Sequence, residues 1–442
     1  MKNSGISRRN FLSKAAVAGA AGIIVPTIIT SCSPKNRKEV VLPVMLDKAP
    51  DGPLLKAGLI GCGGRGTGAA LNFLHSGPSL TISALGDVFP DRIASCRERL
   101  TKDGVEVADE NCFVSFDAYQ KVIDSGVDIV LLATPPVFRP IHFEAAVSAG
   151  KHVFIEKPVA VDPVGARQIM ATGLKAKGME LSVVTGTQRH HQHDYVANWA
   201  KVQEGMIGDI VAANCYWNQG QLWYRNPDPS WSEMEYMIRD WVNWAWLSGD
   251  HIVEQHVHNI DVINWFTGKK PESAVSFGAR HRRVTGDQYD MFSTDFIYEG
   301  GIHVHSMCRQ INGTEGNVSE WVQGTNGSSN CQNAIWDKAG EKIWSFEGYK
   351  LDDQGKMTDQ LPISPYDQEH TDFVTSIRTG KPLNEAEAVA TSTLAGIMGR
   401  MSAYTGKKVT WDEVMNSELK LGPDVYVMGP VDILKTVPVP GE

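Results

Sequence analysis

Leu54-Leu55-Lys56-Ala57-Gly58-Leu59-Ile60-Gly61-Cys62-Gly63-Gly64-Arg65-Gly66, followed after a helical stretch by Leu80-Thr81-Ile82-Ser83-Ala84-Leu85-Gly86-Asp87, decides the fold of this chain. Residues 56–60 are a short apolar strand that runs into Gly61, Gly63 and Gly66 in the G-x-G-x-x-G spacing. The pattern predicts a helix over 67–74 and a second strand over 80–85. Glycines at such a turn let the backbone of the loop, including Gly64 and Arg65, approach a pyrophosphate at a helix N-terminus, where free N–H groups and the helix dipole favour negative charge. Asp87 stands about 20 residues past the last glycine, where a carboxylate accepts hydrogen bonds from the ribose hydroxyls of a dinucleotide. The alternative is a glycine-rich turn with no ligand.

Outward from this unit the α/β alternation continues. Helices are expected at 90–102, 116–125, 141–149 and 163–177, and strands at 127–133, 152–155 and 181–185. This is a doubly wound parallel sheet, and ligands of such sheets bind outside the carboxyl ends of the strands. Thr134, Pro135, Glu156 and Lys157 therefore fall on the cofactor edge. From Gly186 the texture changes to aromatic-rich loops and β-like segments at 209–217, 273–283, 291–298, 302–308 and 318–323. They read as an open, mostly antiparallel sheet with one face free for a partner or substrate. A helix over 384–404, stopping at Gly406, is expected to pack back on the first domain. The domains are thus a dinucleotide-binding part at 54–185, a substrate-binding and oligomerisation part at 186–421, and a tail at 422–442.

With 442 residues, 42% of them hydrophobic, the chain is long enough for two cores. A net charge of −9 and a pI near 5.8, with no dense Lys/Arg run beyond the N-terminus, argue against nucleic acid as a partner. The seven cysteines show no zinc-like spacing and no evident disulfide framework. Residues 1–32 belong to targeting. Ser7-Arg8-Arg9-Asn10-Phe11-Leu12 resembles a twin-arginine export signal, an apolar stretch at 15–29 follows, and Ile29-Thr30-Ser31-Cys32 resembles a lipobox in which Cys32 would be acylated. The alternative is a plain membrane anchor or an uncleaved signal. Either way, membrane contact is expected only through this segment or its lipid. Residues 33–53, proline-rich and aperiodic, read as a tether. Export as a folded, periplasmic protein favours a cofactor that stays bound and is recycled in place.

Three further segments carry chemistry. Glu156-Lys157-Pro158 puts an amine at a strand end; Lys157 either bonds a substrate hydroxyl or is half of a surface salt bridge with Glu156. Residues 250–266 fit one helix, with Val253, Val257, Ile260 and Asn264 on one stripe and His251, Glu254, His258 and Asp261 on the next. A carboxylate one turn from an imidazole suits a general base. Zinc ligation by Glu254 and His258 finds no third ligand, so no metal is assigned, and a solvated polar face is the plain alternative. Third, Trp217, Trp223, Trp231, Trp241, Trp244 and Trp246 are six of the chain's twelve tryptophans. Such faces suit sugar rings, with Tyr224, Arg225, Arg239 and Asp240 available for hydroxyls; core or interface packing is the alternative.

Together, the Gly61 to Gly66 loop, Asp87, Thr134-Pro135 with His142 ahead of Gly150-Lys151-His152-Val153, Glu156-Lys157-Pro158, Gly186-Thr187-Gln188-Arg189 and Gly406-Lys407-Lys408-Val409 resemble the Gfo/Idh/MocA oxidoreductase family over roughly residues 54–421. The resemblance implies a Rossmann domain joined to an α/β domain that associates through its open sheet into dimers or tetramers. It implies NAD, favoured over NADP because Asp87 would repel a 2′-phosphate, with Thr134, Pro135, His142, Glu156 and Gln188 beside it. It implies catalysis by Lys157 and by His258. The family's aspartate four residues before that histidine is Glu254 here, which is expected to share in catalysis as its carboxylate counterpart. Arg189, Trp223, Tyr224, Arg239, Asp240, Trp241 and Asp261 are the expected contacts to a sugar or glycoside. The reaction expected is hydride transfer from a secondary alcohol, in the narrowest form glucoside oxidation at C3; cleavage of a glycoside through transient oxidation and a non-catalytic sugar-binding lipoprotein are the alternatives.

Overall fold

The structure is a computed structural model that describes Val40, Leu42 and residues 45–441. The twin-arginine stretch, the apolar run and Cys32 lie outside the described residues. No helix among the described residues is long and apolar enough to cross a membrane.

Six parallel strands, β1 (Leu55–Ile60), β2 (Leu80–Asp87), β3 (Cys112–Val114), β4 (Ile129–Leu132), β5 (His152–Ile155) and β6 (Val183–Thr185), form one sheet in the order β3-β2-β1-β4-β5-β6. The helices α1 (Gly64–His75), α2 (Pro90–Lys102), α3 (Ala118–Asp124), α4 (Arg139–Ser148) and α5 (Pro163–Gly178) alternate with them. Cover on both faces is why β4 is an unbroken apolar run, Ile-Val-Leu-Leu, buried throughout. The strand order reverses between β1 and β4, which opens a crevice at their carboxyl ends. Two local expectations are corrected. α1 begins at Gly64 rather than at residue 67, because Gly63 is already an extended N-cap. The three-residue β3, too short for a period of two to register, extends the sheet beyond β2.

The second sheet has nine strands: β7 (Ile210–Gln219), β8 (Pro271–Ala279), β9 (Met291–Tyr298), β10 (Ile302–Gln310), β11 (Asn317–Gly324), β12 (Gly327–Ser329), β13 (Ala334–Asp337), β14 (Lys342–Ser345) and β15 (Val409–Thr410). Their order is β14-β13-β12-β11-β7-β10-β9-β8-β15, antiparallel except between β10 and β7. Strict alternation in β9 and β10 buries Phe292, Phe296, Val304 and Cys308 on one face. The other face leaves Val275 and Phe277 exposed.

The remaining helices are α6 (His193–Gln203), α7 (Glu233–Arg239), α8 (Ala245–Ser248), α9 (His251–Glu254), α10 (Val257–Thr267), α11 (Pro365–Arg378), α12 (Ala386–Thr405) and α13 (Trp411–Asn416); of these, α11 packs on the parallel sheet, burying Phe373 and Val374 in its core. α12 ends on Gly406 in the left-handed conformation, φ 69°. Its first turns bury Ala386, Val389 and Ala390 in the core of the parallel sheet. Its later turns bury Leu394, Ile397 and Met398 in the core of the second sheet, so one helix spans both.

The single helix expected over 250–266 is two, α9 and α10, broken at Gln255 and His256. Buried His256 reaches across to the Ser306 hydroxyl on β10, 2.6 Å away, and the His258 amide turns to the Gln255 carbonyl at 3.4 Å. The Glu254 carbonyl, which a continuous helix would give to His258, is thereby released. The adjacent polar stripe is buried rather than solvated: His251, Glu254, His258 and Asp261 are all shielded from solvent.

Two stretches expected to be loose are docked. Within the tether, Ala49 is buried and its amide donates to the Ser76 carbonyl at 2.7 Å, while Gln368 holds the Leu46 carbonyl at 3.0 Å. In the tail, Val431 is buried in an apolar cluster with Phe89, Phe138, Trp246 and Leu247, and the Pro438 carbonyl accepts from the Tyr289 hydroxyl at 2.8 Å.

Candidate active site

The glycine loop makes a cradle by steric necessity. Gly61 has φ +95°, and a Cβ there would lie 2.6 Å from the Thr134 amide nitrogen; one on Gly66 would overlap the Gly61 carbonyl oxygen. At Gly63 and Gly64 an added Cβ meets nothing within 4 Å. Helical bonding starts with the Thr67 amide on the Gly63 carbonyl, 2.9 Å, so the amides of Gly64, Arg65 and Gly66 precede the first helical bond. These residues line a cavity of about 400 Å³ together with Asp87, Ser115, Thr134, Pro135 and His142. Open space at the helix N-terminus, flanked by an acid at the end of β2, fits a dinucleotide.

Asp87 is held in place by the amides of Cys62 (2.7 Å) and Phe89 (3.0 Å). Burial pushes its carboxyl up, against these bonds and the charge of Arg92. His142 stacks on Tyr119 with centroids 4.3 Å apart, and burial holds its pKa down at about 3, so it is a neutral wall of the cavity. Arg139, which no sequence motif singles out, ties the strand ends together. Its guanidinium donates to the carbonyls of Thr134 (2.8 Å), Glu156 (3.0 Å) and Pro158 (2.5 Å).

The tryptophan-rich segment is corrected in part. Trp223, Arg225, Arg239 and Trp241, all expected to be available to a sugar, line the nucleotide cavity. Arg239 donates to both carboxylate oxygens of Asp91 (3.0 and 3.2 Å) and to Glu235 (2.9 Å), and lies 3.9 Å over the Phe89 ring. Asp240 is fully buried and accepts from the Arg225 amide (2.7 Å) and the Asn243 side chain (2.8 Å), so it shapes the turn. Tyr224 is 42% exposed and does not line the cavity. Trp246 is buried in the core.

Beside the cavity, at the end of β5, Lys157 is not paired with Glu156. Glu156 takes the Arg65 guanidinium at 2.5 Å, while the Lys157 ammonium donates to the released Glu254 carbonyl at 2.6 Å and to its Oε1 at 3.3 Å. The helix break thus makes Glu254 a two-point seat for Lys157. His258, one turn on, is stacked with Trp217 at 5.5 Å. Burial first, then the positive charges of Lys157, Arg189 and Arg65, hold His258 well below the ordinary histidine range. It is a neutral imidazole next to an ammonium.

Arg189 lies 5.6 Å from Trp217 but is committed to buried Glu320 at 2.6 Å, which also accepts from Tyr195. Among the described residues, the buried Gln188 Oε1 has no hydrogen-bond partner. Asp261, expected at the substrate, points elsewhere. It lies 2.6 Å from His190 Nε2, accepts from Ser392 at 2.7 Å and lines a different hollow, with His190, Asn264 and Trp265. His251 is likewise outside the site, paired with Asp250 at 3.0 Å. Among the described residues, no group of three or more His, Cys, Asp or Glu is arranged to hold a metal ion.

Two family models match. Residues 55–185 match "Oxidoreductase family, NAD-binding Rossmann fold" of GFO_IDH_MocA, and residues 197–330 match the GFO/IDH/MocA C-terminal domain. Among curated proteins, the chain is similar to a glycosyl hydrolase family 109 protein of Streptomyces coelicolor, 26% identical over 47% of this chain and 43% of that one. It is also similar to inositol 2-dehydrogenases of Acidothermus cellulolyticus, 26% identical over 60% and 73%, and of Klebsiella pneumoniae, 30% identical over 54% and 64%. The chain thus spans less than half the length of the first of these relatives. Among solved structures, scyllo-inositol dehydrogenase of Lactobacillus casei shares the fold with a TM-score of 0.59 at 20% identity, covering 81% of this chain and 98% of that one. Aldose-aldose oxidoreductase of Caulobacter crescentus does so with a TM-score of 0.61 at 17% identity, covering 81% and 100%.

Proposed function

Since the chain belongs to the Gfo/Idh/MocA oxidoreductase family, with an NAD-binding Rossmann domain, we propose that it oxidises a secondary hydroxyl of a sugar, glycoside or cyclic polyol. The observation that carries this reading is the pairing of a seated ammonium, Lys157, with a buried neutral imidazole, His258, at the strand ends beside the glycine cradle.

The Gly61 to Gly66 loop, Asp87, Thr134, Pro135 and His142, which line one cavity, would hold the dinucleotide. Bound NAD supplies the hydride acceptor. His258 takes the proton from the reacting hydroxyl, a task open to it because it is unprotonated. Lys157 donates a hydrogen bond to the same oxygen and stabilises the charge that develops there. Glu254 aims the ammonium by its carbonyl and carboxylate, and its extra methylene relative to aspartate is absorbed because the backbone carbonyl makes the shorter contact. The narrowest form of the proposal is oxidation of a glucoside at C3.

A second reading, transient C3 oxidation followed by elimination of the leaving group, is favoured by the similarity to the glycosyl hydrolase family 109 protein. The two differ in product, a keto-sugar against a free reducing sugar.

Export through the twin-arginine stretch, lipidation at Cys32 and a periplasmic location remain part of the proposal, and with them a cofactor that stays bound. What supports retention is the wall of Trp223, Arg225, Arg239 and Trp241 over the nucleotide cavity. The open face of the second sheet is proposed to join copies of the chain into a dimer or tetramer.

The test is to purify the protein without added nucleotide, denature it and quantify released dinucleotide by mass spectrometry. Near-stoichiometric NAD(H) is expected, and substrate is then assayed without supplement. An empty protein that binds NAD weakly would overturn the resident-cofactor part.

A further inference from the structure

Helix α12 does more than span the two cores. In its later half Arg400 is 1% exposed, and its Nη1 donates to the Val161 carbonyl at 2.7 Å and to the Gly249 carbonyl at 2.8 Å. One turn on, where residues four apart share a helix face, the Tyr404 hydroxyl donates to Asp250 Oδ2 at 2.5 Å. Burying a guanidinium is costly, and this one joins carbonyls from two distant stretches of the chain.

Each stretch leads directly to a catalytic side chain. The run from Pro158 to Val161, which follows Lys157, is buried throughout, and its near end is pinned by Arg139 through the Glu156 and Pro158 carbonyls. Gly249 shares a peptide unit with Asp250. The Asp250 carbonyl accepts the Glu254 amide at 2.8 Å, and its Oδ1 caps α9 by accepting the His251 amide at 2.6 Å. Glu254 in turn seats Lys157. The contacts thus close a ring that runs from Lys157 through Val161, Arg400, Gly249, Asp250 and Glu254 back to Lys157. Within it Asp250 holds φ 70°, a left-handed conformation that a residue other than glycine keeps only where its surroundings impose it. Arg400 and Tyr404 of α12, with the Tyr289 amide on Asp250 Oδ2 at 3.0 Å, are those surroundings.

We propose that Arg400 and Tyr404 are positioning residues, a clamp that holds the Gly249-Asp250 turn so that the Glu254 carbonyl stays in register with the Lys157 ammonium. This rests on the sugar-oxidation reading. Neither residue lines the nucleotide cavity. Both act on the reaction only through the placement of Lys157 and of His258, one turn past Glu254. A misplacement of about 1 Å at reacting groups slows a reaction by as much as about a hundredfold. The clamp therefore shows in the rate of hydride transfer rather than in affinity.

The experiment uses the full chain loaded with NAD, with myo-inositol and methyl β-D-glucopyranoside as the two probes, and follows the near-ultraviolet absorbance of reduced nicotinamide through a single turnover. The amplitude counts folded, loaded sites; the rate constant reports their geometry. Arg400→Lys keeps the charge but ends one bond short of Nη1, and Tyr404→Phe keeps the ring against Tyr289 and removes only the hydroxyl. Expected are full amplitude and a rate constant lowered about tenfold in Arg400→Lys and about threefold in Tyr404→Phe, with KM within about twofold of the wild type. A wild-type rate constant at any amplitude overturns the assignment, as does an effect on KM alone. If Arg400→Lys fails to fold, Tyr404→Phe decides by the same readout. Deuterium exchange of the variants needs no substrate. Uptake should quicken about threefold or more over residues 247–258 with the remainder unchanged, whereas uniform quickening or none overturns the assignment. A wild-type protein that reduces no NAD with either probe overturns the sugar-oxidation reading for these substrates, and the exchange then decides the clamp on its own.

Discussion

At the scale of single residues, the decisive contact is the one between Lys157 and the Glu254 carbonyl, 2.6 Å. A carbonyl seat does not depend on the protonation of a side chain, so Glu254→Gln should keep Lys157 in place and lower kcat less than tenfold. Lys157→Ala should lower kcat by at least a hundredfold with bound NAD retained, and turnover at the wild-type rate would remove Lys157 from the mechanism. The pH dependence follows from His258. A base works only when unprotonated, and burial with three nearby cations keeps its pKa well below 6.5. The acid limb of kcat/KM should therefore fall below pH 6.5, with activity still high at pH 6.5; a limb at or above that value would place another group as base. Arg239 acts on retention rather than chemistry. Arg239→Ala removes the two bonds to Asp91 and the cover on Phe89, and NAD should dissociate about tenfold faster in a stopped-flow chase, with kcat at saturating NAD unchanged.

At the scale of elements, the glycine loop separates folding from binding. Gly66→Ala forces a Cβ against the Gly61 carbonyl and should cost about 1–3 kcal/mol in overpacking, lowering Tm as well as NAD content. Gly63→Ala meets open space and should leave Tm nearly unchanged while filling the cradle and weakening NAD binding. If both variants bind NAD as the wild type does, the cradle is not the pyrophosphate site. The loop and the strands around it were legible in the sequence because glycines, apolar runs and an acid at fixed spacing have one compact arrangement. The break between α9 and α10 was not, because no proline or glycine marks it. It comes from a tertiary pull, His256 toward Ser306, and that pull is what frees the Glu254 carbonyl. Asp261 and Asp240 were misjudged for a related reason. Periodicity gives the face of a helix or turn, whereas the partner on that face, His190 or the Arg225 amide, comes from distant chain. Arg139 carried no motif at all.

At the scale of the whole molecule, one face of the nine-stranded sheet remains open, with Phe277 76% exposed beside Val275. Light scattering on a sizing column should give a dimer or tetramer, and Phe277→Arg should shift it toward the monomer while bound NAD stays; a wild-type monomer would remove the sheet as an interface. The two sheets share α12, and the segment around Val431 packs on Phe89 and Phe138 of the first domain and on Trp246 and Leu247 of the second, so the surroundings of the nucleotide cavity are a joint product of distant parts of the chain. That has a consequence for the order of assembly on the ribosome. Phe89 is made early, but its cover by Val431 cannot form until the chain has been synthesised past that residue. A nascent chain lacking it would offer a half-built pocket from which nucleotide escapes readily. Durable capture of NAD would then be a late event, completed only once the last part of the chain has folded onto the rest.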